Sequence, residues 1–235
     1  DEKDEFTFEY SFPYFRGEGI STEEDISVER HAEKESYAGV CNDLRVGVSL
    51  IFYLQNMMDY AKIKYGNRLP IRGTSLTLSA LSTSGKILLP ICKKKEDVAR
   101  VEKETNNRNK LIAQARAGDE EAIETLTLED MDIYNAISKK IRTEDVLSLV
   151  DTCFMPYGVE CDQYSVLGEI LECSETKNRL TGEELWMIVL SCNDLIFEVC
   201  INKKDLYGEP LPGRRFKGTI WMQGIINFPE TYGVS

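Results

Sequence analysis

ELWMIVLSCNDLIFEVCI, residues Glu184–Ile201, is the stretch whose reading decides the fold. Two apolar runs rich in β-branched and aromatic side chains flank Asn193-Asp194, with no other residue between them. Asn and Asp tolerate the positive backbone angles of a two-residue hairpin turn, because their short side chains bond locally. The stretch therefore reads as strand, tight turn, strand. Working outward, Tyr164–Cys173 predicts a further strand and Asn178 to Gly182 a polar loop. Leu211-Pro212-Gly213 predicts a turn, and Arg214–Phe228 a long final strand. Four or five short strands joined by turn residues predict a small barrel or sandwich. A long strand, a meander and a closing strand follow the pattern of the partly open five-stranded OB barrel, the type that holds oligonucleotides and oligosaccharides in other proteins.

Upstream the texture changes. Residues 93–145 lose apolar density and gain charge. Glu96–Arg116 predicts a helix with a narrow stripe of Val98, Val101, Leu111, Ile112 and Ala115. Gly118 ends it, and Asp119 caps a second short helix. Met131, Tyr134, Ile137 and Ile141 follow at helical spacing. Residues 5–92 read mainly as β. Phe6, Phe8, Tyr10 and Phe12 alternate with polar residues, and Tyr37–Cys41 runs into the turn signal Asn42-Asp43. Arg45–Gln55 predicts a strand with Val46, Val48, Leu50, Phe52 and Leu54 on one face and Ile51 and Tyr53 on the other. Met57–Lys64 predicts a short helix. Thr74–Leu81, the turn Ser84-Gly85 and Ile87–Ile91 predict a hairpin. The fold class is thus α+β. An N-terminal antiparallel β unit spans 1–92, a helical connector 93–145, and a small β-barrel-like, OB-like unit 146–235.

Composition bounds the function. The chain has 235 residues, 42% hydrophobic and 29% charged, as in ordinary folded domains. Its formal net charge is −12, and residues 1–35 alone carry 12 Asp/Glu against 4 Lys/Arg. Such a field repels phosphate backbones, so nucleic acid is disfavoured as a partner. No apolar run approaches the roughly 18 residues that a membrane-spanning helix needs. Seven cysteines without paired spacing read as free, mostly buried thiols of a reducing compartment, and the expected location is the cytoplasm. Asp1 in first place suggests a chain preceded by further residues.

Signatures of chemistry are sparse. His31 is the only histidine. This excludes multi-histidine metal sites and leaves room for a single imidazole-based constellation. Cys41 follows ten residues later, so pairing of the two segments would allow a His31/Cys41 dyad oriented by Asp43 or Glu29. The neighbourhood is acidic, which disfavours a thiolate. No CxxC occurs, nor any phosphate-cradling glycine loop or GxSxG elbow. Neither a metal nor a cofactor is expected. The richest binding segment is Pro212–Gly224, PGRRFKGTIWMQG, where Arg214, Arg215 and Lys217 precede Phe216 and Trp221 on one strand. Phe216, Ile220 and Met222 are expected to face the core, and Trp221 the opposite side with Lys217 and Thr219. Such a face could hold an anionic or stacked ligand.

Four strings carry a resemblance: VERHAEKESYAGVCNDLRVGVSLIFYLQN (Val28–Asn56), RGTSLTLSALS (Arg72–Ser82), MPYGVECDQYSVLGEI (Met155–Ile170) and GRRFKGTIWMQG (Gly213–Gly224). They resemble a family of uncharacterised bacterial proteins from anaerobic Firmicutes, a domain of unknown function. The resemblance implies bacterial cytoplasm and a longer parent protein, and supplies no catalytic residue. The expected function is non-enzymatic binding or scaffolding. The contact face would lie around Arg214, Arg215, Lys217 and Trp221, for a protein or small-molecule partner that the sequence does not identify. The alternative is an enzyme using His31 and Cys41, or carboxylates that sequence cannot place.

Overall fold

The computed structural model describes residues 12–30, 36–43, 45–66, 73–91, 107–108, 110–115, 117–126, 128, 150–158 and 161–229. In chain order its elements are β1 (Ile26–Arg30), β2 (Tyr37–Cys41), β3 (Leu50–Leu54), helix α1 (Met57–Tyr65), β4 (Ser75–Leu88), β5 (Cys153–Pro156), β6 (Gln163–Lys177), β7 (Glu184–Cys192), β8 (Leu195–Asn202), β9 (Leu206–Tyr207) and β10 (Arg215–Asn227).

The hairpin read from sequence is β7–β8. Its register runs from Leu185 opposite Asn202 to Cys192 opposite Leu195. Asn193 and Asp194 hold φ values of 51° and 63°, the positive pair of a two-residue turn whose twist matches the strands. β6 adds on the other side of β7 in antiparallel register. Asn178 takes the amides of Leu180 and Thr181, folding the β6–β7 loop back onto itself.

Closure of the barrel comes from β10 and β4. β10 pairs with β6 along one edge and with β4 along the other, both antiparallel. β4 in turn lies parallel to β8, with Ser79 opposite Glu198 and Ser82 opposite Ile201. The closed ring is β6–β7–β8–β4–β10 and back to β6. This is the OB pairing scheme: a three-strand meander, a strand that returns to the first, and a fifth parallel to the third. Here the fifth strand is β4, which precedes the meander in the chain. The barrel therefore draws on both ends of the sequence. Both expected unit boundaries, at 92/93 and 145/146, lie outside the described residues.

β4 corrects one expectation. The hairpin at Ser84-Gly85 is instead a single 14-residue strand. Gly85 is required for close packing, not for a turn: a Cβ there would lie 2.5 Å from the Phe216 ring. Thr83 is the extra residue of a bulge, and Ser82 Oγ donates to the carbonyls of Ser84 and Thr219 to bridge it. The strand expected over Arg45–Gln55 is also shorter, because 45–49 forms a turn with Gly47 at φ +71°. Of the first expected strand, Phe6, Phe8 and Tyr10 lie outside the described residues, and Phe12 lies outside any strand. In the connector, 110–115 and 120–126 are helical. Gly118 breaks between them at φ +90°, and Asp119 Oδ1 accepts the Glu121 and Ala122 amides as a cap.

The N-terminal strands extend the barrel. β1, β2 and β3 form an antiparallel meander, and β3 joins β10 in parallel through Tyr53 and Leu54. β10 thus spends its first half on β6 and its second on β3. At the switch, the Tyr164 hydroxyl accepts the Ile51 amide (2.7 Å) and donates to the Ile51 carbonyl (3.0 Å), closing the edge of β3 where no strand adjoins it. One core results. Leu50, Phe52 and Leu54 share a hydrophobic cluster with the barrel interior of Tyr164, Val166, Ile188, Leu190, Phe197, Val199, Phe216, Ile220 and Met222. The Phe52 ring fills the space that Gly39 and Gly224 leave open; a Cβ on Gly224 would sit 2.6 Å from it.

Residues 12–22 run as a strap across the outside of β10 and β4. Gln223, fully buried, accepts the Phe15 amide (3.0 Å) and donates to the Pro13 carbonyl (3.2 Å). Ser79 Oγ donates to Phe15 O and Ser21 Oγ accepts the Leu78 amide; at the strap's end the Ser21 amide donates to the Leu76 carbonyl and the Leu76 amide donates to the Thr22 carbonyl.

Candidate functional site at the barrel–sheet junction

Among the described residues, the barrel interior is packed with buried side chains, and the cleft that borders Trp221 lies outside it. Phe216, Ile220 and Met222 face the core, each at 1% exposure or less, which leaves Arg215, Lys217, Thr219, Trp221 and Gln223 on the outer face.

The structure disperses the basic cluster. Arg214 sits at the barrel end, where its Nη1 donates to the Glu209 carbonyl at 2.7 Å and lies 3.9 Å from the Glu209 carboxylate. Arg215 is buried and donates to the carbonyls of Leu89 and Val150, pinning the chain on either side of the connector. Lys217 stands half-buried at mid-face. Trp221 lies beyond the bulge, at the junction with β3.

Around Trp221 an aromatic cluster assembles that the sequence did not group. Its ring meets Tyr53 at 5.5 Å and Phe12 edge-on at 5.9 Å, and Phe12 meets Tyr53 edge-on at 5.1 Å. These separations suit favourable aromatic pairing. The indole Nε1 donates to Asp162 Oδ2 at 2.6 Å, and the Met222 amide bonds to the Asp162 carbonyl. Asp162 thereby fixes both the ring and its strand. Three separate elements supply the cluster: strap, β3 and β10. The alternation of Phe6, Phe8, Tyr10 and Phe12 with polar residues was the only local signal, and it did not take in Tyr14. The meeting of Phe12 with Tyr53 depends on β3 joining β10, which no local pattern shows.

Beside the cluster lies a cleft of about 520 Å³, with Phe12, Tyr14, Arg16, Tyr53, Gln55 and Asp59 among its walls. That volume falls within the range of small-molecule sites. Tyr14 is 68% exposed, presenting an aromatic face to solvent. Gln55 donates from Nε2 to Phe15 O (2.8 Å) and Gln223 Oε1 (2.7 Å), while its own Oε1 is buried with no partner among the described residues. The cleft therefore offers aromatic surface, a cation and an anion.

The dyad residues fare differently. His31 lies outside the described residues. Cys41 is fully buried on β2; burial, with the Asp43 and Glu24 charges, pushes its thiol up to about 12. It is protonated at neutral pH. Burial likewise pushes Cys192 up to about 12, where it bonds to the carbonyls of Cys153 and Leu167. Among the described residues, no group of three His, Cys, Asp or Glu side chains is arranged to hold a metal, and no helix is long and apolar enough to cross a membrane.

No curated protein and no solved structure matches this chain. One family model does match, over residues 1–224: "Domain of unknown function, E. rectale Gene description (DUF3881)". A match of that span covers strap, meander, connector and the barrel strands up to Gly224 in β10, and so the chain belongs to the DUF3881 family.

Proposed function

We propose that this chain is a binding protein that takes a small ligand with a planar or aromatic group into the cleft beside Trp221. The observation that carries the reading is the Phe12–Tyr53–Trp221 cluster, built from three elements and open on the side of Tyr14. Aromatic rings that are fixed in place lose little entropy when a ligand stacks on them. Arg16 and Asp59 give the ligand opposite charges to orient against. The filled interior and the protonated Cys41 favour binding over covalent catalysis. Free thiols at all six described cysteines suit a reducing compartment, and we place the protein in the cytoplasm.

Trp221 supplies the test. The sequence has two tryptophans, so Trp186→Phe leaves Trp221 as the only indole reporter. A panel of aromatic metabolites is titrated against this variant, with emission recorded. At least one class is expected to quench or shift Trp221 saturably, with affinity reduced tenfold or more by Tyr14→Ala. Absence of any saturable change across the panel, or an effect indifferent to Tyr14→Ala, contradicts the reading.

A further inference from the structure

A second feature of the outer face lies away from the cleft. Lys86 on β4 and Lys217 on β10 are direct cross-strand partners, as are Ser84 and Thr219 in the next row. Phe216 faces the interior, and a Cβ on Gly85 would meet the Phe216 ring, so the alternation turns Lys86, Lys217, Ser84 and Thr219 outward. Ser165 on β6 continues the second row beside Thr219. Tyr207 on β9 continues the first beside Lys86 and is 80% exposed.

Like charges directly opposed across two strands are destabilising, and proteins avoid the arrangement or neutralise it. Elsewhere on this barrel lysines are paired with carboxylates: Lys177, Lys203 and Lys204 each lie within 3.5 Å of a glutamate. Lys86 and Lys217 have no carboxylate partner among the described residues, in a chain with twelve more acidic than basic groups. Nor do the hydroxyls of Ser84, Thr219 and Ser165 hydrogen-bond within the described residues. Two ammonium groups and three hydroxyls without partners among the described residues thus occupy neighbouring positions on one face of the sheet, flanked by an exposed aromatic ring. Glu169, opposite Arg215, is the nearest carboxylate by register, one row beyond Lys217 on that face.

We propose that this patch binds a phosphate group of a small molecule, seated between Lys86 and Lys217 with Ser84, Thr219 and Ser165 donating to its oxygens. Two cations account for a doubly charged anion, and hydroxyls complete the donor set as they do at other phosphate contacts. The aromatic ring of Tyr207 offers a stacking surface to whatever the phosphate is attached to. The overall negative field of the chain selects against long polyanions and for a compact ligand.

Inorganic pyrophosphate is the probe, added to the full chain and compared with sodium chloride at equal ionic strength. Pyrophosphate is expected to raise Tm saturably and to bind by calorimetry, with at least tenfold loss in Lys86→Gln/Lys217→Gln. Both lysines are on the surface, and Tm without ligand shows that the variant remains folded. Lys86→Glu, which turns repulsion into attraction, is expected to raise Tm without any anion and to abolish the pyrophosphate effect. No pyrophosphate-specific shift, or the same shift in the double variant, overturns the proposal.

Discussion

At the scale of single residues, Glu198 shows how the strap is held at an electrostatic cost. It projects from β8 to the outer face beside Ser79, under the strap. Burial raises its carboxyl above the usual carboxylate range, and the charges of Glu18 and Glu172 add to this, while the Glu18 backbone amide works against it. One carboxylate oxygen is buried with no partner among the described residues. A carboxyl raised on folding binds its proton more tightly in the native state, so ionisation weakens the fold as pH rises through the folded value. Glu198→Gln is therefore expected to raise Tm at pH 7. The gain should vanish once the solution is acidified below the ordinary glutamate range, where the wild-type residue is neutral too. Thermal melts of both proteins across that range check it; a variant less stable at pH 7 contradicts the assignment.

Elements meet at Asp43, which joins three of them. It is buried in the β2–β3 turn, and Arg45 spans from it to the Ser21 carbonyl in the strap (3.0 Å) and the Asp194 carbonyl at the hairpin tip (2.9 Å). Burial alone would raise the Asp43 carboxyl, but hydrogen bonds from Arg45 and Thr22 outweigh it and hold the group below its ordinary value. A carboxyl lowered on folding contributes stability that is present above its unfolded value and is lost as pH falls through the folded one. Asp43→Asn is expected to cost about 2–3 kcal/mol at pH 7, since it strands a half-buried guanidinium. In urea unfolding, that cost should shrink only below the ordinary carboxylate range. A cost that stays constant down to the lowest pH at which the fold survives contradicts the role given to the charge.

Elements also show what a sequence discloses. The β7–β8 hairpin, the β6–β7 loop, the Gly213 turn and the Gly118–Asp119 break were legible because each depends on a turn residue acting within its own segment. β4 was misread for the converse reason. Ser84-Gly85 has the chemistry of a turn, yet Gly85 is there for a ring from β10, more than a hundred residues away. The outward position of Trp221 followed from alternation. Its neighbours Phe12, Tyr53 and Asp162 did not, because they meet only when β10 changes partner from β6 to β3.

At the scale of the whole molecule, the barrel exists only because β4 lies between β10 and β8. Both proposed sites depend on this. The Lys86–Lys217 patch is a β4–β10 pair, and the strap that carries Phe12 and Tyr14 is anchored to β4 at Leu76, Thr77, Leu78 and Ser79. Residues 146–235 on their own would leave long edges of β8 and β10 without partners and the interior open along one side. The most direct measurement is thermal unfolding of that fragment alone, followed by circular dichroism, with and without a synthetic peptide of residues 73–91. The fragment alone should show no cooperative transition, and the peptide should restore one. A fragment that melts cooperatively by itself, at a Tm close to that of the full chain, would contradict a barrel completed by β4.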